Sequence, residues 1–136
     1  MPPTFQTPQD AEDAFYDALD AQDLDALMRA WADSDEIACL LPMRPLVMGR
    51  AGVRDGWREA LEGAGGMEVE VRHQGWMESA DLAVHCVEER VRLVGRNQPM
   101  PPMYATNLYR RAGDGWRLIL HQNSPAPPPA PTVRRA

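Results

Sequence analysis

A β-hairpin near the C-terminus is the sequence feature that most limits what this chain can fold into. Two runs with strand-forming character, residues 103–111 and 116–125, flank the segment Ala112-Gly-Asp-Gly115. Glycine and aspartate between two such runs are typical of a tight turn. The chain therefore contains an antiparallel pair of strands, and side chains along each strand alternate between the two faces of the sheet.

A turn centred near Gly113 predicts how these two strands pair. The predicted partners are Asn107 with Ile119, Ala105 with His121, and Met103 with Asn123. One face then carries Asn107, Tyr109, Ile119, His121 and Asn123. The other face carries Tyr104, Thr106, Leu108, Trp116, Leu118 and Leu120. The first face is apolar with a few polar groups set into it, as in the lining of a ligand pocket, whereas the second is typical of a packing surface.

Composition limits the class of protein. The 136 residues suffice for one domain with a modest core, and 44% hydrophobic with 25% charged residues is ordinary for a globular chain. The formal net charge of −6 disfavours nucleic acid and membranes as partners, since both are bound mainly through Lys and Arg. No secretory leader or membrane-spanning run is seen, so we expect a cytoplasmic protein. Cys39 and Cys86 are expected to act as small buried apolar groups.

The N-terminal half carries helix signals. Thr7 before Pro8, with Asp10 in the first turn, predicts the start of a helix. Apolar residues then recur at helical spacing: Ala11, Ala14, Phe15, Ala18 and Leu19. A second, short helix carries Leu24, Leu27, Met28 and Trp31. A third helix begins at Gly49 and is ended by the glycines of residues 63–66.

Strand patterns fill the rest of the domain. Short strands are predicted at 37–41 and 46–48, followed after the third helix by four long antiparallel strands. This order predicts an α+β fold, with the three helices of the N-terminal half packed on a curved, mainly antiparallel sheet. The domain is expected to cover residues 8–124, with 1–7 a loose lead-in and 125–136 a Pro-rich disordered tail.

The order of helices and strands, together with several short sequence segments, resembles that of the nuclear transport factor 2-like (NTF2-like) superfamily. Within it, the chain is most similar to the SnoaL-like and ketosteroid-isomerase-like proteins. The resemblance covers residues 8–125. The segments that carry it are Ala21-Gln-Asp23-Leu-Asp-Ala-Leu with Trp31-Ala-Asp33, Gly49-Arg-Ala-Gly-Val-Arg with Trp57, and Ala105-Thr-Asn107 with Gly115-Trp116 and His121-Gln-Asn-Ser-Pro. It implies a cystatin-like cone, a deep pocket and a homodimer formed through the sheet. It does not imply one reaction, because this fold hosts enzymes, binding proteins and assembly domains.

The steroid isomerases of this superfamily use three groups that the resemblance maps onto this chain. Their carboxylate base corresponds to Leu41, just ahead of Pro42. Their hydroxyl donor on the first helix corresponds to Phe15, with Tyr16 next to it and rotated about 100° around the helix. Their second donor is an Asp, yet residues 103–109 contain none. A reaction of that type is therefore not expected, because proton transfer needs a titratable base and an oxyanion needs donors.

His121 is the main catalytic candidate, since an imidazole on the pocket-like face can act as base, acid or hydrogen-bond donor near neutral pH. The alternative is a structural His bonded to a neighbouring element. Asn107 and Asn123 would make the pocket neutral and suited to a carbonyl or hydroxyl group. By resemblance, the same positions hold arginines in the association domains of calmodulin-dependent kinases. Alternatively, both amides bond to sheet backbone.

His85 and Glu89 lie on the same face of a long predicted strand, and we expect both to project into the same cavity. The alternative is that Glu89 is exposed to solvent. The three histidines, at positions 73, 85 and 121, lie on different strands without a ligand-spacing signature, so no metal site is predicted. No cofactor is predicted either. The remaining residues predicted to line the pocket are Phe15, Trp31, Leu41, Met43, Trp57, Val87 and Tyr109.

The sequence therefore favours a protein that binds a small, largely apolar molecule and forms a homodimer through its sheet. Asn107, His121 and Asn123 would orient the polar group of the ligand. One alternative is an enzyme of polyketide-cyclase, isomerase or dehydratase type that uses His121. Another is a dimerisation module without a ligand.

Overall fold

The computed structural model describes residues 4–96 and 100–127, in which three helices pack on a six-stranded sheet. The helices are α1 (Pro8–Ala21), α2 (Leu24–Ala30) and α3 (Gly49–Ala64). The strands are β1 (Ala38–Leu40), β2 (Val47–Met48), β3 (Met67–Glu78), β4 (Leu82–Leu93), β5 (Met103–Ala112) and β6 (Gly115–Pro125). The order of elements predicted from the sequence is confirmed, as is the α+β class.

The sheet is mainly antiparallel. Its strands are ordered β2-β1-β6-β5-β4-β3, and within the described residues only the β1–β6 pair is parallel. Helices cover one face of the sheet, and the core lies between the two layers. Its largest fully buried side chains are Trp31, Tyr109, Phe15, Leu27 and Met28.

Side-chain caps fix where the first two helices begin. The Thr7 hydroxyl accepts a hydrogen bond from the backbone N–H of Asp10 at 3.1 Å, and Pro8 occupies the first turn. Asp23 caps α2 in the same way by accepting from Ala26 N–H at 3.0 Å. These contacts confirm the helix start predicted at Thr7 and set the short turn that folds α2 back against α1.

Arg50, in the first turn of α3, joins that helix to the end of α2. Its guanidinium donates to the carbonyl oxygens of Met28 at 2.7 Å and Ala32 at 2.9 Å. The last carbonyls of a helix have no partner within the helix itself. The Arg50 side chain supplies one, and this contact holds α3 over the inner face of the sheet.

The predicted pairing of the hairpin is wrong by up to two residues. Asn107 lies opposite His121, and Ala105 lies opposite Asn123. The turn is two residues long, with Ala112 paired to Gly115, and the register shifts once more between Leu108 and Tyr109. This β-bulge inserts one residue into β6 that the symmetric pairing did not include.

The bulge also changes which side chains face the core. Leu118 pairs with Tyr109 and both are fully buried, while Trp116 is 5% exposed. Trp116 and Leu118 therefore lie on the inner face, not on the outer face as predicted, and Ile119 falls at the irregularity. Because one residue reverses the alternation, His121 still shares the inner face with Tyr109.

The lead-in is packed at Phe5, in contrast to the expected loose segment. Phe5 is 8% exposed, and its carbonyl accepts from Trp116 N–H at 2.8 Å. Gly115 makes this approach possible, because a Cβ at this position would lie 2.5 Å from the Phe5 carbonyl oxygen and the backbone has a φ of +134°. The guanidinium of Arg117 lies 4.8 Å from the centre of the Phe5 ring.

The predicted tail lies outside the described residues from 128 onward, as do residues 1–3 of the lead-in and 97–99 of the loop before β5. No helix in the described part of the chain has the length and apolar character needed to cross a membrane. Both cysteines are free thiols. Burial raises the pKa of Cys39 to about 12, so its thiol stays protonated.

Candidate functional site

A cavity of about 210 Å³ lies between α1, α3 and the inner face of the sheet. Its apolar lining consists of Leu19, Leu41, Pro42, Trp57, Ala60, Met67, Val69, Val91 and Met103. The polar lining comes from Arg44, Glu89, His121 and Asn123. Glu89 and His121 are 5% and 1% exposed, so they mark the inner end of the cavity. Apolar walls with a few convergent polar groups are typical of a small-molecule site.

Five side chains at this inner end form a closed circuit of hydrogen bonds, which we call the polar ring. Tyr16 donates to Glu89 Oε2 at 2.6 Å and accepts from Asn107 Nδ2 at 2.9 Å. The other end of that amide, Asn107 Oδ1, lies 2.6 Å from His121 Nδ1. Asn123 closes the circuit, with Oδ1 2.9 Å from His121 Nε2 and Nδ2 donating to Glu89 Oε1 at 2.8 Å.

The polar ring is assembled from one helix and three adjacent strands. Asn107 and His121 are direct partners across β5 and β6, which explains their short contact. Aromatic rings on the helices pack on the imidazole of His121, with centroids 5.2 Å away for Phe15 and 5.6 Å for Trp57. These contacts hold the plane of the imidazole while its two nitrogens face the amides.

All hydrogen bonds of the ring can be formed in two arrangements. Each holds one proton more than a neutral His121 imidazole beside an ionised Glu89 carboxylate. In one arrangement His121 donates from both nitrogens to amide oxygens, and Asn123 donates to the Glu89 carboxylate. If the Asn123 amide turns by about 180°, the same positions are satisfied with His121 accepting at Nε2 and a protonated Glu89 donating. The two arrangements therefore differ in the orientation of the Asn123 amide and keep the same hydrogen-bond partners.

Burial sets the direction of the pKa shifts in the ring. It lowers the pKa of His121, while the negative charge of Glu89 and the hydrogen bond to Asn123 raise it and offset part of that effect. Burial also raises the pKa of Tyr16 well above its usual value, and the charge of Glu89 adds to the increase. Tyr16 therefore keeps its proton and remains a donor to Glu89.

The structure brings together four of the polar residues predicted for the pocket, from three adjacent strands: Glu89 on β4, Asn107 on β5, and His121 and Asn123 on β6. Leu41 and Trp57 line the cavity. Phe15 contacts the His121 ring from α1, and Val87 is buried in the core at 1% exposure.

The other predicted pocket residues lie elsewhere. Met43 has a left-handed φ of 61° in the turn after β1 and a fully exposed side chain, so it does not line the cavity. Trp31 is buried and lines a different cavity. His85 does not join Glu89 but contacts Glu12 on α1, and Tyr109 packs against His85 with ring centroids 5.0 Å apart.

Sequence reasoning missed two site residues on α1, Tyr16 and Glu12. Both lie on its buried face, at 6% and 1% exposure, and they are four residues apart. A glutamate within an apolar helical stripe is an available signal, because a carboxylate is buried only where partners await it. One turn further along the same stripe, the Tyr16 hydroxyl reaches the polar ring.

Glu12 belongs to a second buried group, which we call the Glu12 cluster. Its Oε2 lies 2.7 Å from His73 Nε2 and 3.2 Å from His85 Nδ1. Burial raises the pKa of Glu12, but the hydrogen bonds with His85 and His73 together with the charges of the two imidazoles lower it, and the net shift is downward. Within the described residues, these side chains are the one group with three possible metal ligands. The sequence pattern predicted no metal site here.

A wider cavity of about 580 Å³ lies away from both groups. Its charged lining residues are Arg29, Asp33, Arg50, Arg110, Asp114 and Arg117. Arg50 is engaged with α2 carbonyls, and Arg117 forms an ion pair with Asp114 at 3.4 Å. Arg110 lies 4.0 Å from Glu36, so three of the four arginines that line this cavity have protein partners.

The steroid-isomerase groups are absent at the positions the resemblance gives them. Leu41 lines the cavity with an apolar side chain, and β5 places Asn107 at its inner face, where no Asp is available. The hydroxyl on α1 is present, but it comes from Tyr16 and is engaged by Glu89 and Asn107. The candidate carboxylate in this chain is Glu89, on a different strand.

The fold and the cavity define a cystatin-like protein of the NTF2-like type. The chain belongs to the SnoaL-like domain family, whose model matches residues 9–128. Among the curated proteins, none matches this sequence.

Solved structures give the same fold. One is a candidate calcium/calmodulin-dependent protein kinase type II association domain from Thiobacillus denitrificans, 41% identical, with a TM-score of 0.87 over 92% of this chain and 99% of that one. A second is a candidate dehydratase of the NTF2-like family from Streptomyces avermitilis, 25% identical, with a TM-score of 0.76 over 87% and 92%. A third, at 16% identity and a TM-score of 0.68 over 88% and 94%, is a ketosteroid isomerase-like protein from Erwinia carotovora atroseptica, and it shows the fold alone.

Proposed function

We propose that this protein binds a small, largely apolar molecule that carries one hydroxyl or carbonyl group. The observation that carries the proposal is the cavity of about 210 Å³, whose walls are apolar and whose inner end presents Glu89, His121 and Asn123. Its volume is below the ~300–1,000 Å³ of sites for drug-sized ligands. The ligand is therefore of the size of a single ring or a short branched chain.

The free hydrogen-bonding capacity of the site favours a hydroxyl group. Besides its bond to Glu89, Asn123 Nδ2 makes only a long contact of 3.4 Å with the Tyr104 carbonyl among the residues that the structure describes, so it has a hydrogen to donate. Each oxygen of Glu89 accepts one short bond and has a lone pair left. A ligand hydroxyl can accept from Asn123 and donate to Glu89, a carbonyl can only accept, and a carboxylate would meet the charge of Glu89.

Binding of simple probes tests this proposal. We expect calorimetric or NMR titration to detect cyclohexanol and cyclohexanone, in that order of affinity, and no binding of cyclohexanecarboxylate. Asn123→Ala should weaken cyclohexanol about 3–10-fold, as expected for one hydrogen bond. The matched control is Gln122→Ala, since Gln122 is exposed and adjacent on β6. Equal affinities for the three probes, or an unchanged affinity in Asn123→Ala, would contradict the proposal.

A second candidate is an enzyme that moves a proton, of isomerase or dehydratase type. It is favoured by the polar ring, which places a carboxylate and an imidazole, Glu89 and His121, 3.9 Å apart at the inner end of the cavity. The similarity to a candidate dehydratase at 25% identity supports the same class. Exchange of the α-hydrogens of cyclohexanone in D₂O, followed by NMR, measures such a base directly. Glu89→Gln should remove the exchange and preserve binding of cyclohexanone, whereas exchange that survives in this variant would exclude Glu89 as the base.

We also propose that two copies associate through the outer face of the sheet. An apolar row crosses all six strands on that face, through consecutive cross-strand partners: Met77, Val84, Leu108, Leu120, Ala38 and Met48. Met77 and Met48 are 66% and 67% exposed. A continuous apolar row left open to water is typical of an interaction surface.

Light scattering after size exclusion tests the dimer. We expect a mass near twice 15.2 kDa for the native chain and a monomer for Leu108→Glu, whose charge would lie in the middle of the row. Arg111→Glu is the matched control, because Arg111 is exposed near the hairpin turn. A monomeric native chain at micromolar concentration would contradict this part of the proposal.

A further inference from the structure

We propose that Glu12, His73 and His85 form a binding site for a divalent transition-metal ion such as Zn²⁺, independent of the cavity site. Their ligand atoms all lie within 4.8 Å of one another, and they come from α1, β3 and β4. Two imidazole nitrogens and one carboxylate oxygen are a donor set that zinc and its neighbours in the transition series prefer. Calcium and magnesium prefer oxygen ligands alone and are disfavoured here.

The present distances are close to those that a bound ion requires. Bonds of about 2.0–2.2 Å in tetrahedral geometry separate the ligand atoms by about 3.4 Å. Oε2 of Glu12 now lies 2.7 Å from His73 Nε2 and 3.2 Å from His85 Nδ1. The carboxylate oxygen must therefore move away from His73 by about 0.7 Å and from His85 by about 0.2 Å to reach the separation of about 3.4 Å that an ion requires. Each neutral imidazole keeps its proton by moving it to the ring nitrogen that faces away from the metal.

An unsatisfied polar atom points to the same ligand. Glu12 is 1% exposed, and its Oε1 has no hydrogen-bond partner within the described residues. A buried carboxylate oxygen without a partner is costly. The Tyr109 hydroxyl is likewise buried without a partner in the described part of the chain, and its ring packs on His85. A metal ion with water in its open coordination positions would satisfy the carboxylate, since three protein ligands leave such a position.

The cluster has an entrance that attracts cations. A surface cavity of about 240 Å³ reaches Glu12 and His73, and the carboxylates of Asp13, Asp17 and Asp20 line it. The side chain of His73 is 30% exposed, whereas that of Glu12 is 2% exposed. A cleft lined by one sign of charge raises the local concentration of the opposite ion. A cation can therefore enter along the acidic cavity, reach the partly exposed His73 and bind at the buried Glu12.

Titration of the metal-free 136-residue chain with Zn²⁺ and Co²⁺ tests the site. We expect one ion per chain, competed for by a chromophoric chelator, and visible Co²⁺ absorption of a four- or five-coordinate centre. NMR of ¹⁵N-labelled histidine should show coordination at Nε2 of His73 and Nδ1 of His85, with His121 unchanged. This choice of nitrogens is specific to the geometry, and an adventitious surface site would not reproduce it.

Two variants keep the test independent of folding. His73→Gln, at a partly exposed position, should weaken Zn²⁺ by at least about 100-fold, more than the loss of an outer-shell partner. Glu12→Gln removes the carboxylate and should weaken it similarly, and the matched Glu68→Gln on the exposed edge of β3 should leave it unchanged. No binding at 100 µM Zn²⁺, or an affinity that survives His73→Gln in a folded chain, would overturn the proposal.

Discussion

The two buried polar groups of this protein use similar parts and differ in completeness. Each pairs a glutamate with histidine and uses a residue of α1, Tyr16 in the polar ring and Glu12 in the Glu12 cluster. In the ring, every side chain has hydrogen-bond partners on both sides. In the Glu12 cluster, one carboxylate oxygen has none within the described residues.

Because of this difference, we expect the polar ring to bind a neutral molecule and the Glu12 cluster to bind a cation. A closed circuit is stable by itself and exchanges hydrogen bonds or a proton with a neutral molecule. A carboxylate with a spare oxygen between two imidazoles is incomplete until a cation joins it. The surroundings agree, since apolar side chains line the approach to the ring and carboxylates line the approach to the cluster.

The largest expected effect is the loss of stability when the ring is opened. Asn107 is fully buried. Asn107→Ala would remove one hydrogen bond from the Tyr16 hydroxyl and one from His121 Nδ1, with no water to replace them. We expect the free energy of unfolding to fall by about 3 kcal/mol, as for a buried network that loses one member. Urea unfolding in the presence of a chelator measures it, with Thr106→Ala on the outer face of β5 as control. A loss below about 1 kcal/mol would show that the ring is not a closed unit.

The next effect distinguishes the two groups by their response to metal. Zn²⁺ at a hundred times its dissociation constant should raise the free energy of unfolding by about 2.7 kcal/mol, because it binds only the folded state. Thermal unfolding should show this increase in the native chain and in Asn107→Ala, and not in His73→Gln. If Asn107→Ala also lost the metal response, the two groups would be one coupled network.

Local signals in the sequence predicted the elements well. The Thr7-Pro8 start of α1, the glycines that end α3 and the turn between β5 and β6 act within a few residues, so the chain order of helices and strands follows from them. The register did not follow, because the bulge near Leu108 depends on how β6 packs against its neighbours.

The sequence pattern predicted which side chains face inward, but it could not predict which of them contact one another. His85 and Glu89 share the inner face of β4, as predicted, but four residues of strand separate them by about 13 Å. They therefore meet different residues of α1: Glu12 and Tyr16. The resemblance to steroid isomerases pointed to Phe15, and only the contacts with β4 and β5 show that its neighbour Tyr16 supplies the hydroxyl.

A smaller effect is expected when the Glu12 cluster is changed without metal. Glu12→Gln keeps the shape of the side chain and one hydrogen bond to a histidine, and one of its oxygens already lacks a partner. We expect the free energy of unfolding to fall by about 1 kcal/mol in metal-free buffer, the value of a single hydrogen bond. Glu68→Gln gives the baseline for removal of a charge. A loss as large as that of Asn107→Ala would mean that the cluster is as complete as the ring.

The smallest expected effect is the pH dependence that His121 gives to the ring, because Glu89 and Asn123 offset part of the effect of burial on its pKa. The pKa of His121 is lower in the folded state than the value of about 6.5 expected in the unfolded chain. As the pH falls below about 6.5, the unfolded state takes up this proton first, so stability is lost between that pH and the lower folded pKa, and none is lost above it. Tyr16 stays protonated throughout this range and does not contribute. The difference in unfolding free energy between the native chain and His121→Gln, followed from pH 8 to pH 5 with a chelator present, isolates the effect from His73 and His85. A difference that grows in favour of the native chain as the pH falls would show instead that the polar ring holds His121 as the imidazolium.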